Sequence, residues 1–306
     1  MNMTREQFDN DAAQCVGLID QYGSNYRFAT LLFPKDMQIA TYVLYAFLRY
    51  TDEIVDEIDP TRTDQQRYEQ LDAWYADVAL KEEAQSPIAR AFAYISKQYN
   101  FDDTWADAFL WAMKQDLTQE TYETYKETEK YMFGSAVVVG FMMTNIIGFD
   151  DSVNPEVVYN HARALGEAMQ LANFLRDIKE DAIDRNRVYL PQQDLRAYGI
   201  TIDNLLADSY GEKTTTFMKD TIQKCRELFI HANKGIAYLE KEGRLAVAAS
   251  STWLNMGLPA RVCRTLGWSE YIRVPLPAAN TMTSVLMVYP VSCRKKRVAV
   301  RLPFFF

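Results

Sequence analysis

Four aspartates define the chemistry this sequence can support. Asp52 and Asp56 lie in Tyr45-Ala-Phe-Leu-Arg49-Tyr-Thr-Asp52-Glu53-Ile-Val-Asp56-Glu57, and Asp177 and Asp181 lie in Gly166-Glu-Ala-Met-Gln170-Leu-Ala-Asn173-Phe-Leu-Arg176-Asp177-Ile-Lys-Glu180-Asp181. At about 100° per residue, Tyr45, Arg49, Asp52 and Asp56 fall on one narrow arc of a helix, and Gln170, Asn173, Asp177 and Asp181 fall on one face of another. Val43, Leu44, Phe47, Leu48, Ile54 and Val55 cover the rest of the first helix, so it should be buried. Carboxylates four residues apart repel by a few tenths of a kcal/mol in water and more in a low dielectric, so a buried pair needs cations. Arg49 alone is too little. Several Mg²⁺ ions, with Mn²⁺ as the alternative, would take one or two carboxylates each and complete their shells with phosphate oxygens and water. One D-x-x-x-D would more often be a solvated face; two copies in apolar helices, each beside Arg or Asn, favour the metal reading.

The elements that must position these residues are helices. Apolar positions recur at i, i+3 and i+4 along the chain and alternation at period two is nearly absent, which predicts an all-α protein. Helices are expected near 5–21, 36–58, 64–84, 87–99, 103–116, 121–147, 155–182, 192–197, 213–241 and 244–256. Pro34, Asp59-Pro60, Ser86-Pro87, Gly148, Pro191, Gly211 and Gly243 supply the breaks, and Asn154 is a good N-cap before Pro155. No Pro/Gly/Ser-rich linker divides the chain. Its 306 residues, 48% hydrophobic, suffice for one large core, and no purely apolar segment approaches the ~20 residues of a membrane span. The N-terminal residues lack an apolar signal core and are acidic, which reads as cytoplasmic. A net charge of -8 disfavours nucleic acid. Cys15, Cys225, Cys263 and Cys293 have no C-x-x-C spacing and read as free thiols; His161 and His231 read as structural.

Further residues carry a family resemblance. Tyr131-Met-Phe-Gly-Ser135-Ala136-Val-Val-Val-Gly140 is similar to the central helix signature of the squalene/phytoene synthase family, the head-to-head prenyltransferases. The run Leu165-Gly166, Gln170, Asn173, Arg176-Asp177, Asp181, Arg187, Tyr189 and Pro191 matches its longer second signature. The likeness extends from about Tyr22 to Leu245 and is closest to the phytoene synthase branch.

The resemblance implies a single helical domain of the isoprenoid synthase type with a central cavity, over 1–275, followed by a divergent tail over 276–306. It implies Mg²⁺-dependent condensation of two geranylgeranyl diphosphates through a cyclopropylcarbinyl diphosphate to phytoene, in carotenoid biosynthesis, with no nicotinamide. Asp52, Asp56, Asp177 and Asp181 would hold metal; Tyr45, Arg49, Gln170, Asn173, Arg176, Arg187 and the C-terminal Arg273 would bind substrate; Tyr189 is a candidate proton relay. Ser24 and Tyr26 would belong to an N-terminal lid, although the lysine usual near Ser24-Asn25-Tyr26 is absent, and Val137 stands where a smaller residue is usual. Gly134, Ser135, Ala136 and Gly140 could leave room for an isoprenoid chain, with Tyr26, Tyr45, Phe47 and Phe174 offering aromatic faces to a carbocation. Release of a hydrocarbon suggests peripheral contact with a membrane. Two alternatives remain open: a squalene or dehydrosqualene synthase acting on C15 diphosphate, and a non-catalytic isoprenoid-binding or assembly protein.

Overall fold

The computed structural model describes residues 3–22, 30–56, 62–207, 209–248 and 251. Among these the protein is helical, with β-structure limited to two isolated bridges, Thr121 with Val188 and Phe149 with Leu239. The helices are α1 (Arg5–Tyr22), α2 (Lys35–Asp56), α3 (Asp64–Ala79), α4 (Pro87–Gln98), α5 (Asp103–Thr118), α6 (Tyr125–Met132), α7 (Val138–Ile147), α8 (Pro155–Asp184), α9 (Gln192–Tyr198), α10 (Ile202–Leu206) and α11 (Glu212–Gly235). A further helical stretch covers 241–248.

Local chemistry sets the starts. Thr63 with Gln66 and Thr124 with Glu127 form reciprocal capping boxes on α3 and α6. Ser86 and Asn154 each cap a helix whose first turn holds a proline, α4 and α8. The stops are tertiary. The expected helix over 64–84 ends at Ala79 because Asp77 accepts the N–H groups of Gln85 and Ser86 and turns the chain back through Lys81, at φ 55°. The helix expected from 121 begins at Tyr125, since Thr121 is drawn out to bridge Val188. The helix expected over 213–241 ends at Gly235. The one expected over 244–256 runs instead over 241–248, and of its remaining positions only Ser251 is among the described residues.

α2 carries the core. Val43, Ala46, Phe47 and Leu48 are fully buried, and Phe47 stacks on Phe92 at 3.9 Å while lying against Trp74 and Phe109. Phe47 is therefore core, and the expectation that it faces a cation is corrected. The Thr51 hydroxyl donates to the Phe47 carbonyl and accepts from the Trp74 indole at 2.9 Å, which fixes α3 against α2.

α6 and α7 are joined by a π-helical turn over Phe133–Val137 rather than by regular helix. The small residues here serve close packing. A Cβ on Gly134 would lie 2.3 Å from the Ala108 carbonyl oxygen of α5, and one on Gly166 would lie 2.8 Å from the Val137 Cα. Gly140 is tight as well, 3.2 Å from the Ala162 carbonyl oxygen. The expectation that Gly134 and Gly140 open space for a substrate chain is corrected: backbones occupy it. The stretch Tyr125–Ile147 is apolar and long enough to cross a membrane, but 78% of its apolar window is buried in the protein, which makes it a core element. α7 packs against both aspartate-bearing helices, α2 and α8.

Candidate active site

The second aspartate motif closes on itself. Arg176 makes a two-pronged ion pair with its neighbour Asp177, Nε to Oδ1 at 2.8 Å and Nη2 to Oδ2 at 2.6 Å. Burial works against the Arg176 cation, yet Asp177 outweighs it and holds the guanidinium above its ordinary value. One turn on, Arg185 pairs with Glu180 at 2.8 Å and lies 3.8 Å from Asp181. Upstream, the Gln170 amide donates to the Ser135 hydroxyl at 3.0 Å, so α8 is keyed to the π turn, and Asn173 reaches Gln170 at 3.5 Å.

The first motif is built from afar. Arg49 pairs with Glu53 at 3.2 Å, and Asp52 is buried. Burial, then the charges of Asp52 and Glu53 against the opposing pull of Arg49, push the Tyr45 hydroxyl up to about 12. Asp56 lies 3.6 Å from Arg187, which is beyond the end of α8 and is itself buried. The Arg187 N–H donates to the Asp181 carbonyl, and Asn186 takes a left-handed φ of 53°, so the chain leaving α8 folds back and carries Arg187 toward α2.

Arg187 also lies 3.8 Å from Asp116 on α5, at the heart of a cluster of aromatic rings. The Tyr131 hydroxyl donates to both Asp116 oxygens at 2.9 Å, and the Tyr189 hydroxyl donates to one at 2.7 Å. Tyr189 stacks on Phe174 at 4.5 Å and lies 5.0 Å from Tyr131, and Thr128 donates to the Tyr189 carbonyl. A continuous polar path thus runs from Asp56 through Arg187 and Asp116 to two tyrosines.

Of the residues singled out from sequence, Asp56, Arg187 and Tyr189 lie on this path, and the Arg187 backbone bonds that of Asp181. Arg49 contacts Glu53 on α2, Arg176 contacts Asp177 on α8, and Gln170 and Asn173 contact each other, with Gln170 reaching Ser135. Ser24, Tyr26 and Arg273 lie outside the described residues. The sequence patterns do not single out Asp116, Arg185 or the acidic partner Glu53 as site residues, and they place Tyr131 only within the central helix signature. Asp116 left a usable trace: it continues the buried stripe Phe109, Ala112, Met113 of α5, where a lone carboxylate has no place unless it is bonded. His161 and His231 stack at 4.4 Å between α8 and α11, away from this assembly, as a structural pair. Cys15 and Cys225 are buried free thiols.

Among the described residues no three metal-ligating side chains converge on one point, and the carboxylates lean on arginines. The residues nonetheless fit a hard cation. The carboxylates of Asp52, Glu53, Asp56, Asp116, Asp177, Glu180 and Asp181 outnumber the guanidinium groups of Arg49, Arg176, Arg185 and Arg187, and the donors are all oxygen. The surplus negative charge, partly shielded from water, is what divalent ions and their phosphate ligands would neutralise.

The fold is of the all-α isoprenoid synthase type. The solved structure of squalene synthase HpnC from Alicyclobacillus acidocaldarius superposes with a TM-score of 0.76 at 22% identity, covering 86% of this chain and 97% of that one. A dehydrosqualene synthase solved with a ligand gives 0.70 at 22% identity over 83% and 86% of the two chains. Residues 19–254 match the sequence model of squalene/phytoene synthase, and the chain belongs to that family of prenyltransferases. It is 30% identical to phytoene synthase 2 of Solanum lycopersicum over 82% of this chain and 79% of that protein, and 31% identical to the phytoene synthase of Daucus carota over 81% and 62%.

Proposed function

We propose that the protein condenses two C20 prenyl diphosphates head to head into phytoene, without a reductant. What carries this reading is the pair of aspartate motifs intact within a chain whose similar relatives are phytoene synthases. Asp52, Asp56, Asp177 and Asp181 would hold Mg²⁺, which when bound draws electron density from the diphosphate leaving group. Arg49, Arg176 and Arg187 supply forked donors for the same oxygens, once released from their present carboxylates. Tyr45, Gln170 and Asn173, all on the inner faces of α2 and α8, would orient the substrate.

Loss of the first diphosphate joins the two chains as a cyclopropylcarbinyl diphosphate as the carbon that closes the ring gives up a proton to the released diphosphate. Loss of the second diphosphate generates a cation that rearranges and sheds a second proton. The rings of Phe174 and Tyr189, stacked on one another, would be the aromatic groups that stabilise this cation. The departing proton can pass to released diphosphate, or to the Tyr189 oxygen as that hydroxyl gives its own proton to Asp116. No hydride is needed for that ending. The test is incubation of purified protein with Mg²⁺ and C15 or C20 diphosphate, with and without NADPH, and then identification of the hydrocarbon. Phytoene from C20 substrate alone is expected. A hydrocarbon made only from C15 substrate, or only with NADPH, would transfer the assignment to the squalene type.

A further inference from the structure

The Tyr122 hydroxyl is a buried polar group for which the proposed reaction has no use. Tyr122 is 2% exposed, and its hydroxyl has no hydrogen-bond partner among the described residues. Leaving such a group unbonded away from water is destabilising, and one kept in a native structure calls for an explanation. Slack placement is not that explanation. Thr121 bridges Val188, and the Tyr122 carbonyl accepts the Gln192 N–H at 2.9 Å, so the backbone on both sides is pinned to the segment that carries Arg187 and Tyr189. The ring stacks on Tyr189 at 5.9 Å and lies 5.4 Å from Tyr131. Burial, and after it the charge of Asp116, hold the phenol well above its ordinary range, so it stays a neutral donor.

Its two ring neighbours already donate to Asp116, which is 5% exposed and has Arg187 at 3.8 Å as a cation. Arg187 is shared with Asp56 at 3.6 Å. If Arg187 turns to a diphosphate, Asp116 loses its cation in a low dielectric, where a carboxylate needs additional donors to stay charged.

We propose that Tyr122 is a reserve donor for Asp116: a positioning residue whose hydroxyl moves onto that carboxylate when Arg187 engages the substrate diphosphate, keeping Tyr131 and Tyr189 oriented. The proposal rests on the diphosphate reading of the site. In the ligand-free protein the hydroxyl is idle; in the bound protein it makes a charged hydrogen bond.

Tyr122→Phe removes the hydroxyl and keeps the ring. With Mg²⁺ and inorganic pyrophosphate as the probe, the ligand-free thermal midpoint of the variant should equal or exceed that of wild type, and the rise on adding the probe should be smaller. With the active prenyl diphosphate, kcat should fall about tenfold while KM stays within about twofold, the signature of one charged hydrogen bond needed after binding. A ligand-free midpoint several degrees below wild type would show that the hydroxyl already has a structural partner, and would overturn the proposal. So would a probe response and kcat equal to those of wild type. A wild-type protein whose midpoint does not respond to Mg²⁺ and pyrophosphate would fail the diphosphate reading itself.

Discussion

Asp177 and Asp181 find their countercharges a few residues away on the same stretch of chain, in Arg176 and Arg185, whereas Asp56 depends on Arg187, delivered from beyond α8. The two motifs look alike as sequence and differ as structures. The α8 motif is balanced by local geometry that any helix with those residues would approximate. In the α2 motif, Arg49 pairs locally with Glu53, but Asp56 meets Arg187 when the chain leaving α8 has folded back over α5, so the electrostatics at Asp56 report on the assembled tertiary structure. Arg187 serves two carboxylates at once, Asp56 on α2 and Asp116 on α5.

The largest effect should come from Asp177→Asn, which ought to reduce turnover by about 10²–10³-fold or more, as should chelation of divalent ions from the wild-type protein. Its stability sharpens the comparison. Repulsion between carboxylates, considered alone, predicts an unchanged or stabler variant. The two-pronged bond to Arg176 predicts a loss of about 1–3 kcal/mol, because a mostly buried guanidinium is left half-bonded. Thermal or denaturant unfolding of the ligand-free variant decides between them, and we expect the loss.

Arg187→Met should destabilise the ligand-free protein by about 3–5 kcal/mol, since it strands the Asp56 and Asp116 carboxylates together. The same change at Arg176, whose partner is less enclosed, should cost about half as much. Equal costs in denaturant unfolding would erase the contrast between the local and the delivered countercharge.

Conservative exchange comes next. Arg49→Lys and Arg176→Lys should each lower turnover by about tenfold or more if the forked group is needed on a diphosphate, with the thermal midpoint nearly unmoved for Arg49 and lowered for Arg176. Full activity of both lysine variants would mean that these arginines only balance nearby carboxylates. The smallest effect is expected for Arg185→Gln. Its nearest partner, Glu180, is substantially solvated, so the stability change should stay within about 1 kcal/mol, and a larger loss would show that Asp181 depends on Arg185 as strongly as Asp56 does on Arg187.

The sequence alone determined the helical class, the helix starts at Ser86-Pro87 and Asn154-Pro155, and the faces on which Asp52, Asp56, Asp177 and Asp181 stand. Each of these is set by neighbours within about one helical turn, where 100° geometry and capping chemistry act. The tertiary structure decided what those aspartates touch. It placed Arg187 between α2 and α5, and gathered Tyr122, Tyr131 and Tyr189 around Asp116. It also set Phe47 into the core and closed the gaps at Gly134 and Gly140 with neighbouring backbone. Such contacts join residues far apart in the chain, and the bridge between Thr121 and Val188 that brings many of them together has no periodic signature. A lone Asp116 on an apolar stripe shows that something must bond it; only the folded chain supplies the partners, because long-range packing and the expense of burying an unbonded charge are settled together when the helices assemble.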